Sequence, residues 1–316
     1  MQILTLITAL PGAVAQGLIW GIMAIGVYIT FRILDIADLT VDGTMCTGGA
    51  VCIMMMLSGH NVWISMLAAT LAGMLAGLAT GIFHTFMGIP AILAGILTQL
   101  SLYSVNLKIM GKANQAVNGN KFDLLVSLRN VKNVPFYQNT ILIVAIFIVV
   151  LIAILYWFFG TELGCSLRST GCNPNMSRAQ GINTNVCKVL GLMISNGIVA
   201  LASALYSHYQ GFVDVNMGRG AIVIGLASIV IGEVFCEAIF KKGCNFSVKL
   251  LFIVLGGVLY YMVMTLILWL RLDPNDLKLF TALIVALFLA VPYLQKQSKS
   301  SFSRAKKRGQ KEAIGQ

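Results

Sequence analysis

Apolar stretches of close to 20 residues, separated by short polar or glycine-rich breaks, recur along this chain of 316 residues. An α-helix of about 20 apolar residues spans the hydrocarbon core of a bilayer. The chain is 58% hydrophobic and 10% charged, which is more apolar surface than one water-soluble core of this size can bury. The pattern therefore predicts an all-α polytopic membrane protein.

Breaks at charged residues and at Pro, Gly and Asn clusters divide the chain into nine predicted crossings. They lie near 12–30, 44–58, 62–86, 89–107, 140–160, 188–208, 225–240, 249–270 and 279–294. Two further segments, 35–43 and 215–224, are too polar or too short to cross and are predicted to be interfacial or re-entrant. We expect a transmembrane domain over 1–295, with about 8–10 helices, and a basic tail over 296–316.

The distribution of Lys and Arg predicts the sidedness of the chain. With the N-terminus outside, the basic residues favour the inner segments, and the basic tail would lie in the cytoplasm near anionic lipid. The segment 108–139 would then lie outside although it is basic, so its sidedness stays open. The seven cysteines fall in predicted spans or inner loops, and we expect them to be reduced.

Two parts of the chain have similar hydropathy and opposite predicted direction. In each, a long helix (12–30 or 188–208) is followed by a short polar piece and a second apolar helix. Such inverted repeats are typical of transporters whose pathway lies between the repeats. Glycines at four-residue spacing, in 17–21 and 73–81, predict close helix packing, either within one subunit or at a dimer face.

Four carboxylates are candidates for the lining of a pathway or gate. Asp35, Asp38 and Asp42 have the spacing i, i+3 and i+7, so a helix here would place them on one face beside Arg32. Carboxylates next to apolar spans are costly in hydrocarbon and should face a cavity or the interface. Helix capping or interfacial solvation explains the same three residues equally well. Glu233 is the fourth candidate, as a carboxylate within a span that needs a partner.

The longest inner segment, 161–187, predicts a short cytoplasmic helix. Asn173 and Pro174 form a helix-start signal, and Gly181 forms a stop signal. A short helix flanked by glycines is suited to docking onto a partner protein, and an ordinary solvated loop is the alternative interpretation.

Sequence motifs for catalysis are absent. The three histidines are scattered without metal-ligand spacing, and there is no nucleophile elbow, so we expect no catalytic residues and no metal site. The chain also lacks the G-x-x-x-x-G-K-[ST] phosphate loop. We therefore expect a transport subunit that binds no cofactor of its own.

Several short motifs resemble those of ABC importer permeases of the branched-chain amino acid and ribose class. They are Thr161-Glu162-Leu163-Gly164, Arg168-Ser169-Thr170-Gly171-Cys172-Asn173, Ala179-Gln180-Gly181-Ile182-Asn183 and Gly218-Arg219-Gly220. The segments 38–44 and 222–233 are similar to a subgroup linked to aromatic amino acids and related substrates. The resemblance implies the inverted-repeat fold of ABC importer permeases, in a bacterial cytoplasmic membrane.

In that family, a coupling helix in this inner segment contacts the ATPase subunit. The resemblance assigns the contact here to eight residues: Asn175, Met176, Ser177, Arg178, Ala179, Gln180, Gly181 and Ile182. It further implies a separate ATPase chain that holds ATP and Mg, an extracytoplasmic solute-binding protein and a second permease copy. An amino acid is the preferred substrate, ahead of a nucleoside or a sugar.

An ion- or proton-coupled secondary transporter is the alternative function, and it would use the same carboxylates as ion sites.

Overall fold

The computed structural model describes residues 2–117, 124–127, 139–240 and 244–269, together with residues 279, 282, 283, 285, 286 and 290. The helices in this part of the chain are α1 (Gln2–Tyr28), α2 (Thr40–Leu57), α3 (Val62–Thr85), α4 (Ala91–Met110), α5 (Thr140–Gly160), α6 (Glu162–Cys172), α7 (Pro174–Ala179), α8 (Thr184–Gln210), α9 (Ala221–Ile239) and α10 (Phe246–Trp269). A π-helix, Ile29–Ile33, extends α1, and the two short strands are β1 (Asn114–Ala116) and β2 (Phe212–Asp214).

Eight helices in the described residues are long and apolar enough to cross a membrane. They are Ala9–Ile33, Thr40–Leu57, Val62–Thr85, Ala91–Met110, Thr140–Gly160, Thr184–Gln210, Ala221–Ile239 and Phe246–Trp269. They correspond to the first eight predicted crossings, which confirms an all-α polytopic membrane protein. Most of the ninth crossing, 279–294, and the whole tail, 296–316, lie outside the described residues.

Two three-helix units, α1–α3 and α8–α10, have the same arrangement of helices but opposite orientations in the bundle. The first helices of the two units run antiparallel, because Tyr209 Oη donates to Gly12 O at 3.1 Å while Ser195 Oγ donates to Gly26 O at 2.7 Å. The third helix of each unit packs on the first helix of the other unit, α3 on α8 and α10 on α1. This arrangement agrees with the inverted repeat predicted from hydropathy.

The glycine stripes lie inside the subunit. A Cβ atom at Gly17 or Gly21 would meet the α10 backbone, and one at Gly73, Gly77 or Gly81 would meet α8. Missing side chains let helix backbones approach closely, which is how helices associate where lipid supplies no hydrophobic driving force. Packing within one subunit therefore accounts for both stripes, and neither is free to serve as a dimer face.

The second helix of each unit begins in the interior of the bundle. Thr44, in the first turns of α2, donates to Asn196 Oδ1 near the middle of α8 at 2.7 Å. Gly225, in the first turns of α9, packs on Val27 and Met23 of α1. Each of the predicted re-entrant segments, 35–43 and 215–224, consists of the non-helical chain that leads to one of these helix starts and of the first turn of that helix. The surrounding protein can supply hydrogen-bond partners for the non-helical backbone there, whereas lipid cannot.

The strands and α7 mark opposite ends of the bundle. β1 pairs antiparallel with β2, with Gln115 opposite Val213, and β2 follows directly after α8. α7 directly precedes α8, whose 27 residues span roughly 40 Å. The described part of the 108–139 segment therefore lies on the other side of the membrane from α7, while residues 118–123 and 128–138 lie outside the described residues.

One cysteine pair differs from the expectation of reduced thiols. Cys236 and Cys244 form a disulfide across the connection between α9 and α10, and the other five cysteines are free. The two cysteines are eight positions apart in the sequence. The end of α9 therefore lies beside the residues that precede α10, a proximity that counting cysteines does not reveal.

Candidate functional site

Asp42 joins the starts of the two interior helices. It lies in the first turn of α2, and its carboxylate accepts the backbone N–H groups of Gly220 and Ile222, each at 3.1 Å. These N–H groups belong to the start of α9, where helix geometry leaves them without intrahelical partners and where the helix dipole favours negative charge. Asp42 thus caps α9 from α2. Gly220 has a φ of +86°, a left-handed conformation that glycine adopts without strain.

Asp38 is the most deeply buried of the candidate carboxylates, with 2% of its surface exposed. One oxygen accepts the Thr40 backbone N–H at 2.9 Å and so caps α2. The other accepts Asn196 Nδ2 at 2.7 Å, and the Oδ1 atom of Asn196 accepts the Thr44 hydroxyl at 2.7 Å. A buried carboxylate is tolerated when hydrogen bonds replace its lost hydration. This network fastens the start of α2 to the middle of α8.

A chain of hydroxyl groups continues from the same helix start. Thr40 Oγ1 lies 2.6 Å from Thr80 Oγ1, and Thr80 donates to Thr98 Oγ1 at 2.9 Å. The three threonines are buried and lie on α2, α3 and α4 respectively. The α2 start is therefore held by polar contacts to three neighbouring helices.

Asp35 does not join the other two carboxylates. The helix that would have aligned Asp35, Asp38 and Asp42 on one face does not form, because the π-helix ends at Ile33 and Asp35 has a left-handed φ of +56°. Asp35 is exposed, whereas Asp38 contacts α8 and Asp42 contacts α9. The predicted shared face is wrong, and capping explains Asp38 and Asp42 in the structure.

Glu233 pairs with Arg32 at the α7 end of the bundle. Arg32 Nε donates to Glu233 Oε1 at 2.8 Å, and a second nitrogen of the guanidinium donates to Oε2. The side chain of Arg32 is 52% exposed and that of Glu233 is 23% exposed. The predicted need of Glu233 for a partner is confirmed, and the bidentate pair links the end of the π-helix to α9.

The predicted short helix in the inner segment is present as α7. Asn173 accepts the Met176 N–H at 3.1 Å as the N-cap, and Pro174 occupies the first turn. Gly181, with a φ of +83°, follows the helix. Arg178 Nε donates to Thr184 Oγ1 at 2.8 Å and fixes α7 to the first residue of α8.

Most of the predicted coupling residues face outward. Met176 is 60% exposed, and Asn175, Arg178, Ala179, Gln180 and Gly181 are also exposed. Ile182 is half-buried, and Ser177 is buried and donates to Asn173 O at 3.0 Å. These outward-facing side chains leave most of α7 accessible at the surface of the bundle.

A cavity of about 380 Å³ opens beside the two helix starts, between α2, α4 and the segment that leads into α9. Its polar lining consists of Asp42, Cys46, Gln99, Tyr103, Asn106 and Arg219. Among the described residues, no group of three or more His, Cys, Asp and Glu side chains could hold a metal ion.

Sequence reasoning missed Asn196, which binds Asp38, and Asn106, which lines the cavity. Asn196 and Asn106 are polar residues within apolar spans, which is a detectable signal because such residues must find partners in the membrane. Asn196 binds a residue 158 positions away, so its partner could not be identified from spacing. For Arg219, the sequence offers only its place in the Gly218-Arg219-Gly220 motif.

Eight membrane-length helices, an inverted repeat with two helices that begin in its interior, and a capped helix exposed at one end together define a multi-pass membrane permease. The chain matches the family model described as "Branched-chain amino acid transport system / permease component" over residues 10–292. It belongs to this family of ABC importer permeases and is a transport subunit for small solutes.

Curated relatives agree with this family. The chain is 38% identical to a tyrosine transport system permease protein of Clostridioides difficile, over 87% of this chain and 88% of the relative. It is 34% identical to an uncharacterised protein of Rickettsia prowazekii, over 90% and 96% of the two chains. An autoinducer 2 import system permease protein of Salmonella typhimurium is 24% identical over 67% of this chain and 59% of the relative. No solved structure matches the chain significantly.

Proposed function

We propose that this chain is the membrane-spanning subunit of an ATP-driven importer that moves an amino acid across a bacterial cytoplasmic membrane. Family membership supports import. The printed function of the Clostridioides relative, tyrosine transport, supports an amino acid as the solute, since the similarity covers most of both chains. The surplus of basic residues on the α7 side supports a cytoplasmic position for α7 and for the C-terminus.

The complete transporter contains three further components. A separate ATPase chain holds ATP and Mg, because this chain has no phosphate loop. A solute-binding protein outside the membrane delivers the amino acid, and a second copy of the permease completes the pathway. Family membership supports all three partners, and the basic tail supports contact with anionic lipid.

The observation that carries the coupling proposal is the exposed helix α7. Its position is fixed by the Asn173 cap and by the Arg178–Thr184 hydrogen bond, while Met176 faces outward. A partner that binds around Met176 would move α7 and α8 together. ATP-driven closure of two ATPase subunits would then rock the three-helix units about the pathway, which is an alternating-access mechanism without covalent chemistry in this chain.

The test is a comparison of Met176→Asp with the matched variant Ala113→Asp. Both substitutions add one negative charge at an exposed position, the first on α7 and the second at the opposite end of the bundle. In the transporter reconstituted with its ATPase and solute-binding protein, we expect Met176→Asp to lower amino acid uptake and solute-stimulated ATPase activity by about tenfold, as for loss of a buried interface anchor.

Ala113→Asp should behave as the wild type. Normal coupling in Met176→Asp, at wild-type levels of membrane insertion, would contradict the docking role of α7.

A proton- or ion-coupled secondary transporter is the second candidate, and buried Asp38 is the observation in its favour. In the structure, hydrogen bonds to Thr40 and Asn196 occupy both oxygens of this carboxylate, as for a structural group. The two functions differ in a simple assay. Gradient-driven uptake by the purified chain alone, abolished in Asp38→Asn, would replace the importer proposal, whereas uptake that requires the ATPase supports it.

A further inference from the structure

We propose that the cavity between α2, α4 and the segment before α9 is a solute site that recognises both charged ends of a zwitterionic amino acid with an aromatic or large apolar side chain. This inference rests on the proposed import function and adds to it that the permease itself selects the solute. The cavity volume of about 380 Å³ lies in the range of small-ligand pockets.

An unsatisfied buried group points to a ligand in this cavity. Asn106 lines the cavity and is 1% exposed, yet its Oδ1 atom has no hydrogen-bond partner among the described residues. The Cys46 thiol contacts the Asn106 side chain, but a thiol is only a weak hydrogen-bonding partner. The amide nitrogen of Asn106 is directed to Gly43 O at 3.4 Å. A buried acceptor without a donor costs free energy, which a bound ammonium group would recover.

Opposite charges line the same cavity. Asp42 accepts one backbone N–H on each carboxylate oxygen, which leaves lone pairs for a further donor. Arg219 lines the cavity, and its side chain is exposed. Among the described residues, the salt bridge is that of Arg32 with Glu233, so Arg219 has no ion partner there. An α-amino acid carries the complementary pair of charges, with a carboxylate that a guanidinium binds bidentately.

The apolar part of the cavity lining suits a ring. Leu100 and Tyr103 are on the cavity surface and are 64% and 42% exposed. Aromatic groups pack on one another in offset or edge-to-face arrangements that add to the stabilisation from buried area. The cavity therefore favours an amino acid with a large apolar or aromatic side chain over a small one.

The position of the cavity agrees with a solute site. It adjoins the starts of α2 and α9, and both helices begin in the interior of the inverted repeat. Broken helices near the middle of the membrane form the substrate sites of many transporters with this symmetry. A site beside these two helix starts would contact the solute during passage, after the binding protein has released it.

The experiment is equilibrium binding of radiolabelled L-tyrosine to the purified full chain in nanodiscs, without the solute-binding protein. We compare the wild type with Arg219→Gln and with the matched variant Lys108→Gln, which removes the same charge from an exposed position of α4 outside the cavity lining. Tyramine, which lacks the carboxylate, is the second probe. Asn106→Leu tests the buried acceptor independently of the charge.

We expect saturable L-tyrosine binding that Arg219→Gln weakens about tenfold and Lys108→Gln leaves unchanged, as for loss of one charged hydrogen bond. Tyramine should bind the wild type and Arg219→Gln equally, because the guanidinium acts on the missing carboxylate. Asn106→Leu should weaken both probes, since both carry the ammonium group.

Two results would overturn the site: no saturable binding to the wild type, or equal affinity of L-tyrosine for the wild type and Arg219→Gln. The import function has a separate measure, which is uptake by the complete transporter with its ATPase. Uptake of L-tyrosine that persists without binding in nanodiscs would refute the site and leave the import function standing. Binding of L-tyrosine without ATP-dependent uptake would support the site and refute the import function.

Discussion

Substituting Asn196 by Leu removes the amide that connects α2 to α8. In the structure this amide donates to Asp38 Oδ2 and accepts the Thr44 hydroxyl, each at 2.7 Å. Leu has a similar volume, so the change deletes the hydrogen bonds without a large cavity. Asp38 and Thr44 are 2% and 0% exposed, so water does not replace the lost partner.

The expected loss of stability follows from these two bonds. A hydrogen bond to a charged group contributes about 1.5–3 kcal/mol and a neutral one about 1 kcal/mol. Hydrogen bonds between membrane helices average only about 0.6 kcal/mol, because the unfolded state in the bilayer also finds partners. The larger value applies to the bond with Asp38, because this carboxylate stays buried and loses the donor that its Oδ2 atom accepts. We expect Asn196→Leu to lower the free energy of unfolding by about 3 kcal/mol.

The assay is SDS-induced unfolding of the purified chain in mixed micelles, followed by fluorescence of its four tryptophans. Asp35→Asn is the control, because Asp35 is an exposed carboxylate in a left-handed conformation that Asn also tolerates. We expect the control to change the free energy of unfolding by less than about 0.5 kcal/mol.

A reciprocal exchange makes the prediction specific. Asn196→Asp alone brings two carboxylates together and should destabilise the chain more than Asn196→Leu does. Adding Asp38→Asn to it restores one amide and one carboxylate, and most of the stability should return. A loss below about 0.6 kcal/mol in Asn196→Leu, or no recovery in the exchanged pair, would refute the structural role of this contact.

Three further outcomes follow from other contacts. Arg178→Glu breaks the link from α7 to α8 and should lower uptake and coupled ATPase activity in the reconstituted transporter, at unchanged levels of the protein in the membrane. Wild-type coupling in this variant would count against the role of the link. A double-mutant cycle of Arg32→Gln and Glu233→Gln should give a coupling energy of only about 0.2–1 kcal/mol, since the pair is partly exposed. A Leu side chain at position 77 would meet the α8 backbone, so Gly77→Leu should sharply lower the yield of folded protein in fluorescence-detected size exclusion. Gly160→Leu, where the added side chain enters open space, should not.

The sequence predicts the features that depend on local pattern. Hydropathy locates the eight described spans, polar interruptions locate the approaches to α2 and α9, and the Asn173, Pro174 and Gly181 signals locate α7. Each of these signals acts over one or two helical turns, through burial, capping or backbone conformation. Such signals can be interpreted without knowledge of tertiary contacts.

The partners of the candidate residues could not be predicted in the same way. The helical spacing of Asp35, Asp38 and Asp42 suggests one face, but the left-handed Asp35 ends that periodicity and sends the next two carboxylates to different helices. Contacts such as Asp42 to Gly220 join positions 178 residues apart. They depend on how the two repeats pack, which the local pattern does not contain.

The helix α8 connects the proposed docking surface with the interior junction. Its first residue, Thr184, holds α7 through Arg178, and its middle residue, Asn196, holds the start of α2 through Asp38. A helix hydrogen-bonded along its length transmits displacement with little bending. Because Asp42 in turn caps α9, a shift of α7 would reach both helix starts and the cavity beside them. We therefore expect the cavity to change shape with the position of α7, through rigid-body motion of the two repeats more than through independent side-chain rearrangement.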